Sequence, residues 1–240
     1  MTPLLEVENI EVAYGRVNVL NGISLTVGAG EVVALLGTNG AGKSTLLKAV
    51  SAMAPVKSGS IRVEGEEIRR RRPRDVVRRG IVQVPGGRAT FPGLTVQENL
   101  RIGAMAAPKG ERRERIEEVV EQFPWLGERG TQLAGTLSGG QQQILALGRA
   151  LLAKPRLLMV DELSLGLAPA IVAQLLDALA RLATQGVGLL IVDQHVDLAL
   201  DVSDRAYFLE RGTVRFEGEA SALRGRTDLL RAVLLTGAAP

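Results

Sequence analysis

Cysteine is absent from the chain, and histidine occurs once, as His195. Without a thiol there is no disulfide, no thiolate nucleophile and no cysteine-based zinc site. Aromatic residues are scarce too: one Trp, two Tyr and four Phe, scattered along the chain, so that no platform for stacking nucleic-acid bases is visible. No apolar run approaches the ~18 residues that cross a bilayer; the longest candidates are short, such as VGLLIV at 187–192. The start, MTPLLEVEN, has neither the basic residues nor the apolar core of a signal peptide. The expectation is a cytoplasmic protein with no span of its own.

What is present is ordinary for a globular chain, 46% hydrophobic and 23% charged over 240 residues, enough for one large core or two small ones. The net charge is only +3, yet the basic residues are lopsided, 24 Arg against five Lys, and they crowd into IRRRRPRDVVRRG at 68–80. Such a cluster suits an anionic membrane surface, nucleic acid or a solvated surface segment. The lack of interleaved aromatics favours the last.

Residues 4–27 alternate apolar and polar, which predicts two or three antiparallel strands. EVVALL at 31–36 is a buried strand, followed by a glycine-rich loop and a helix over 44–53. SIRVEG gives a short strand, RDVVRR a short helix and GIVQVP another buried strand. From about 93 to 153 the pattern is helical, with segments at 95–106, 111–123 and 139–154. In the last of these Ile144, Leu147, Leu151 and Leu152 recur at helical spacing, which gives it one buried face. After Pro155 strands and helices alternate again: RLLMVDE, a helix over 168–183, VGLLIVD, a short helix, then AYFLE and TVRFEG. Alternation of this kind means a parallel sheet covered on both faces, and the helical block between two sheet regions reads as an inserted subdomain.

Three short motifs carry chemistry. GTNGAGKST, residues 37–45, fits G-x-x-x-x-G-K-[ST] through Gly37, Gly42, Lys43 and Ser44, and sits between a strand and a helix as a phosphate loop requires. Glycines let the backbone close around an anion, successive N–H groups point inward, and the helix N-terminus adds about half a positive charge. Asn39, Gly40, Ala41 and Thr45 complete this nucleotide-binding loop. Lys43 reaches the β- and γ-phosphates, and the Ser44 hydroxyl binds Mg²⁺. The second motif is LLMVDE at 157–162: an apolar strand ending in two acids places Asp161 where it holds Mg²⁺, and Glu162 beside the γ-phosphate, where it aligns and deprotonates water. The third is LSGGQQQ at 137–143, where Ser138, Gly139, Gly140 and Gln141 open a helix and offer a second anion-binding end.

With LSGGQ lying between the other two motifs, the sequence resembles the ATP-binding cassette superfamily over about residues 4–220. The resemblance implies an α/β phosphate-loop core with a parallel sheet, an antiparallel β subdomain at the N-terminus and an inserted α-helical subdomain, all in one nucleotide-binding domain. It implies ATP and Mg²⁺ as ligands, and a dimer in which the signature of one subunit closes over the ATP held by the other. Tyr14, in EVAYGRV, matches the aromatic that stacks on adenine. SLGLAP, 164–169, falls where the family contacts the opposite subunit, without the usual acid.

Two positions depart from the family pattern. The register counted back from TVQENL puts Gly86 where the family has a metal-contacting Gln, and Gln83 lies three residues early on the strand. Counting ten residues back from Asp204 puts Gln194 in the place of the switch histidine, with His195 one residue later. Gln194 is favoured by register; its amide bonds a phosphate oxygen but carries no titratable proton. VPGGR, FPGLTVQENL, SLGLAP and the D-Q-H segment resemble the shorter ATPase subunit of branched-chain amino acid importers. The implied assembly is a second, related ATPase (a homodimer being the variant), two membrane permease subunits and an extracytoplasmic binding protein. It would sit at the cytoplasmic face of the plasma membrane, with no nucleic acid involved. Urea and short-amide importers look similar, and a soluble cassette acting on nucleic acid or ribosomes is the reading from another class.

Overall fold

The computed structural model describes residues 2–87, 89–162, 167–193, 196–226 and 229–230. Strands β1 (Leu5–Tyr14) and β2 (Val17–Val27) pair antiparallel, as their alternation predicts. Strand β3 (Val32–Gly37) follows, and then helix α1 (Lys43–Val50). Strand β4 (Val56–Val63) begins four residues before the SIRVEG expectation and returns to pair with β1, with the two-residue β5 (Glu66–Glu67) at its side. The third strand of the antiparallel layer therefore comes from beyond the phosphate loop, giving a four-stranded sheet in the order β2-β1-β4-β5.

The pairing of β1 shifts near Asn9, whose φ is 47°, and this bulge keeps Val7 and Ile10 on the same buried side. Opposite the bulge stands Gly59, where a Cβ would lie 2.4 Å from the carbonyl oxygens of Glu8 and Asn9. Only glycine fits there.

Helix α2 (Pro73–Arg78), strand β6 (Ile81–Val84) and the helical block come next: α3 (Val96–Gly103), α4 (Arg112–Gln122), α5 (Trp125–Glu128) and α6 (Gly139–Leu151). The chain then runs through β7 (Leu157–Asp161), α7 (Pro169–Thr184), β8 (Gly188–Val192), α8 (Val196–Val202), β9 (Arg205–Glu210), β10 (Thr213–Glu219) and α9 (Ala220–Arg224). The main sheet has the order β10-β9-β3-β8-β7-β6; all its pairs are parallel except the antiparallel hairpin β9–β10 at one edge. Every residue of β3, β7 and β8 is buried, the signature of strands covered on both faces.

One core fills the space between the antiparallel layer, α1 and the main sheet, with Leu25, Leu46, Leu190 and Tyr207 among its members. A second lies on the other face, where α6, α7 and the helical block cover Leu158, Val160 and Ile191. In the arginine-rich stretch Ile68, Val76 and Gly80 are buried while Arg70, Arg71, Arg72, Arg74 and Arg78 are exposed; Arg71 and Arg79 both bond Glu66, and Arg74 lies beside Asp75. No helix of the described residues is long and apolar enough to cross a membrane.

Candidate functional site

Parallel order places the C-terminal ends of β3, β7, β8 and β6 along one rim, where α/β sheets bind ligands. A cavity of about 300 Å³ opens there, lined by Val19, residues 39–45, Asp161, Glu162 and Val192. Two motifs separated by more than a hundred residues thus meet because β3 and β7 flank β8.

The loop between β3 and α1 has its conformation for steric reasons. At Gly37 (φ 152°) a Cβ would lie 2.1 Å from the Leu209 carbonyl oxygen, and at Gly42 (φ 103°) it would lie 2.5 Å from Leu20. Helix α1 begins without a side-chain cap and without an acid in its first turn, and its first residues line the cavity, which leaves its N-terminal N–H groups and its dipole for an anion there. The Lys43 ammonium donates to the carbonyls of Gly37 and Thr38 at 2.8 and 3.0 Å. Burial pushes its pKa down, and the carboxylates of Asp161 and Glu162 act against that. A cation held by two carbonyls, with an anionic pair facing it, is ready to be drawn to a stronger anion.

The Ser44 hydroxyl donates to Asp161 Oδ2 at 3.0 Å. Asp161 is buried, and its carboxyl is raised above the ordinary range mainly by desolvation, with the Ser44 hydrogen bond opposing. One hydroxyl and one carboxylate are a hard-oxygen pair that suits Mg²⁺ completed by phosphate and water. Among the described residues no cluster of three or more His, Cys, Asp or Glu is present.

Glu162 has φ 52°, a left-handed conformation uncommon for a side chain of this size, and its N–H donates to the Val192 carbonyl at 2.7 Å. This turn out of β7 aims the carboxylate into the cavity rather than along the strand. Against it lies Gly86: a Cβ there would stand 3.0 Å from both Glu162 Cβ and Oε2. Gln83 is not in the cavity lining; its side-chain oxygen accepts from Ser51 at the end of α1, 2.8 Å away.

The other expected residues lie elsewhere. Tyr14 ends β1, is 44% exposed, and stands outside the cavity lining. Ser138 caps α6: its hydroxyl accepts from the Gln141 N–H while Gln141 Oε1 accepts from the Ser138 N–H, a closed capping box. Gly140 allows α6 to pack on α7, since a Cβ would meet Ile171 at 2.8 Å, whereas Gly139 has only Leu167 near, at 3.9 Å. Within this chain Ser138, Gly139, Gly140 and Gln141 do not line the phosphate cavity. Gln194, His195, Arg88 and Ser164 lie outside the described residues. Sequence reasoning missed Val19, Val192 and Leu209, whose main chains or side chains shape the loop; they carry no motif of their own.

The family model described as ABC transporter matches residues 20–164. A high-affinity branched-chain amino acid transport ATP-binding protein, BraG, of Pseudomonas aeruginosa is 44% identical over 220 residues, 92% of this chain and 94% of that protein. A probable branched-chain amino acid transport ATP-binding protein, LivF, of Archaeoglobus fulgidus is 36% identical, covering 92% of this chain and 94% of that one. Among solved structures, the ADP conformation of an ATP-binding cassette of an ABC transporter superposes with a TM-score of 0.87 at 26% identity, covering 98% of this chain and 99% of that one.

Proposed function

Because the chain belongs to the ABC transporter family, we propose that it is the ATP-hydrolysing subunit of an importer for branched-chain amino acids, its 240 residues forming one cassette. The observation that carries the reading is the single cavity that brings Lys43, Ser44, Asp161 and Glu162 around one space at the N-terminus of α1. The names of the relatives from P. aeruginosa and A. fulgidus support the solute.

ATP lays its phosphates on the N–H groups of residues 39–45, and Lys43 leaves its carbonyls for the β- and γ-phosphates. Ser44 and Asp161 would hold Mg²⁺, which would supply neutralisation of the phosphate charge. Glu162 orients the attacking water and takes its proton; Gln194, with His195 beside it, bonds the γ-phosphate, and Tyr14 supports the base. The signature residues Ser138 to Gln141 stand outside their own chain's cavity, which supports a dimer in which they close over the nucleotide of a second, related cassette. The two cassettes would sit at the cytoplasmic face of the plasma membrane under two permease subunits, served by an extracytoplasmic binding protein.

The test is uptake of labelled leucine and, separately, urea in the native cell, with Glu162→Gln replacing the normal chain. Selective loss of leucine uptake is expected. Loss of urea uptake instead would reassign the solute, and no change in either would reopen the transported substrate and raise the soluble-ATPase reading.

A further inference from the structure

The phosphate loop is held from behind by a turn far away in the sequence. Positive φ at Gly40 (76°) and Gly42 (103°), with Ala41 between them, gives the alternation that points successive N–H groups at an anion. The carbonyl oxygens of such a loop then face the other way, and where they are buried they need donors. Lys43 serves those of Gly37 and Thr38, but in the proposed function it leaves them for the phosphates. Ala41 is only 1% exposed, and its carbonyl accepts from the Gly212 N–H at 3.0 Å.

Gly212 belongs to the tip of the β9–β10 hairpin, where Arg211 and Gly212 both have positive φ, 47° and 75°, as a tight two-residue hairpin turn requires. Strand β9 runs parallel to β3 with Leu209 opposite Gly37, so the hairpin meets the phosphate loop at its first residue and again at Ala41. The Gly212 carbonyl in turn accepts from the Asn21 N–H at 2.8 Å. Strand β2 is an edge strand, and at Asn21 its outward N–H is satisfied by this turn instead of by water. A side chain has no room at residue 212: a Cβ would stand 2.2 Å from the Val19 carbonyl oxygen and 2.8 Å from Asn21 Nδ2. Val19 itself lines the cavity. Loop, edge strand and hairpin thus converge on one buried glycine.

We propose that Gly212 is a positioning residue for nucleotide binding: its N–H fixes the Ala41 carbonyl away from the cavity and its own carbonyl anchors that contact to β2, which keeps the loop's N–H groups aimed at the phosphates once Lys43 has let go of its carbonyls. The loop is then ordered before the nucleotide arrives, so binding does not bear the cost of ordering it. The effect falls on affinity. Asp161 and Glu162 stand at the end of β7, which β3 and β8 separate from β9, so the carboxylates keep their places when the turn is disturbed. The inference rests on the cavity being the nucleotide site.

The experiment compares Gly212→Ala, Asn21→Pro, Leu126→Ala and Lys43→Ala as full chains. It measures Kd for a fluorescent ATP analogue, kcat, KM and thermal midpoint, with binding read well below the lowest midpoint. Gly212→Ala displaces the turn and is expected to raise Kd and KM about tenfold, as the loss of one buried hydrogen bond behind the loop implies, with kcat at saturation within about threefold. Proline at residue 21 removes the donor to the Gly212 carbonyl and leaves the ladder to β1 intact, because that N–H faces outward on an edge strand; Kd should rise about threefold to tenfold. Leu126, fully buried in α5 of the helical block, is the control for stability alone: its alanine variant should have a lower midpoint and an unchanged Kd. Wild-type affinity in Gly212→Ala or Asn21→Pro, whatever the midpoint, would overturn the proposal. So would a loss in kcat larger than the loss in affinity, or an equal weakening in Leu126→Ala. Should Gly212→Ala fail to fold, Asn21→Pro decides alone, a Kd raised about threefold or more supporting the anchor and a smaller change overturning it. Wild-type affinity in Lys43→Ala would instead sink the assignment of the cavity to nucleotide, independently of what Gly212 does.

Discussion

The Glu162 carboxylate rests against the bare Cα of Gly86, so close that a Cβ at residue 86 would stand 3.0 Å from its Oε2. The position that the resemblance assigns to a metal-contacting Gln is thus taken by a glycine, where any side chain would press on Glu162. Gly86 itself has no positive φ, so the constraint comes from its neighbours, the Glu162 side chain and the Asp161 carbonyl oxygen, which a Cβ would approach at 3.2 Å.

Replacing Gly86 with alanine is therefore expected to shift the glutamate without straining the chain. Turnover should fall about tenfold while ATP affinity stays within about twofold, read by steady-state kinetics and a fluorescent nucleotide. Normal kcat in the Gly86→Ala enzyme would show that the carboxylate has room to spare.

Glu162→Gln keeps the shape of the side chain and removes its basicity. Its kcat should drop by about 10²- to 10⁴-fold with nucleotide affinity preserved. Equal losses in kcat and affinity would point to a binding role.

Asp161 exposes a tension between function and stability. Burial raises its carboxyl pKa, so the folded chain binds this proton more readily than the unfolded one. The ionised group therefore destabilises the nucleotide-free fold above the raised pKa, and that penalty fades as pH falls toward the unfolded value of about 3.9. Asp161→Asn still accepts the Ser44 hydrogen bond and removes the buried charge. At neutral pH without nucleotide its thermal midpoint should exceed that of the wild type by a few degrees, since about 1 kcal/mol moves Tm roughly 2–4 °C in a chain of this size. The gap should close on acidification, and Mg²⁺-dependent hydrolysis should be lost. A lower midpoint for the variant at neutral pH contradicts the account.

The two signature glycines should separate packing from nucleotide contact. Gly140→Ala drives a methyl into Ile171 and should cost about 1–3 kcal/mol of stability by overpacking. Gly139→Ala meets only Leu167, at an ordinary contact distance of 3.9 Å, and should leave stability unchanged or slightly raised, yet weaken ATP-dependent dimerisation, measurable by light scattering. If both variants lost only stability, the signature would be a packing device.

The sequence by itself determined the family and the order of its motifs along the chain. Gly37 to Thr45, Asp161, Glu162 and Ser138 to Gln141 stand in short contiguous stretches, because a phosphate loop, a strand-end acid pair and a helix cap each need only local backbone geometry. Alternation likewise marked β1 and β2, and unbroken apolar runs marked β3, β7 and β8. Tertiary structure decided what depends on neighbours distant in the chain. Strand order brought β7 within reach of α1, and β4 left the phosphate-loop region to join β1. Gly86 came to lie on Glu162, and Gly212 came to hold the Ala41 carbonyl. None of these has a local signature, since each is the outcome of two surfaces competing for the same volume, and a single chain read in order records only one surface at a time.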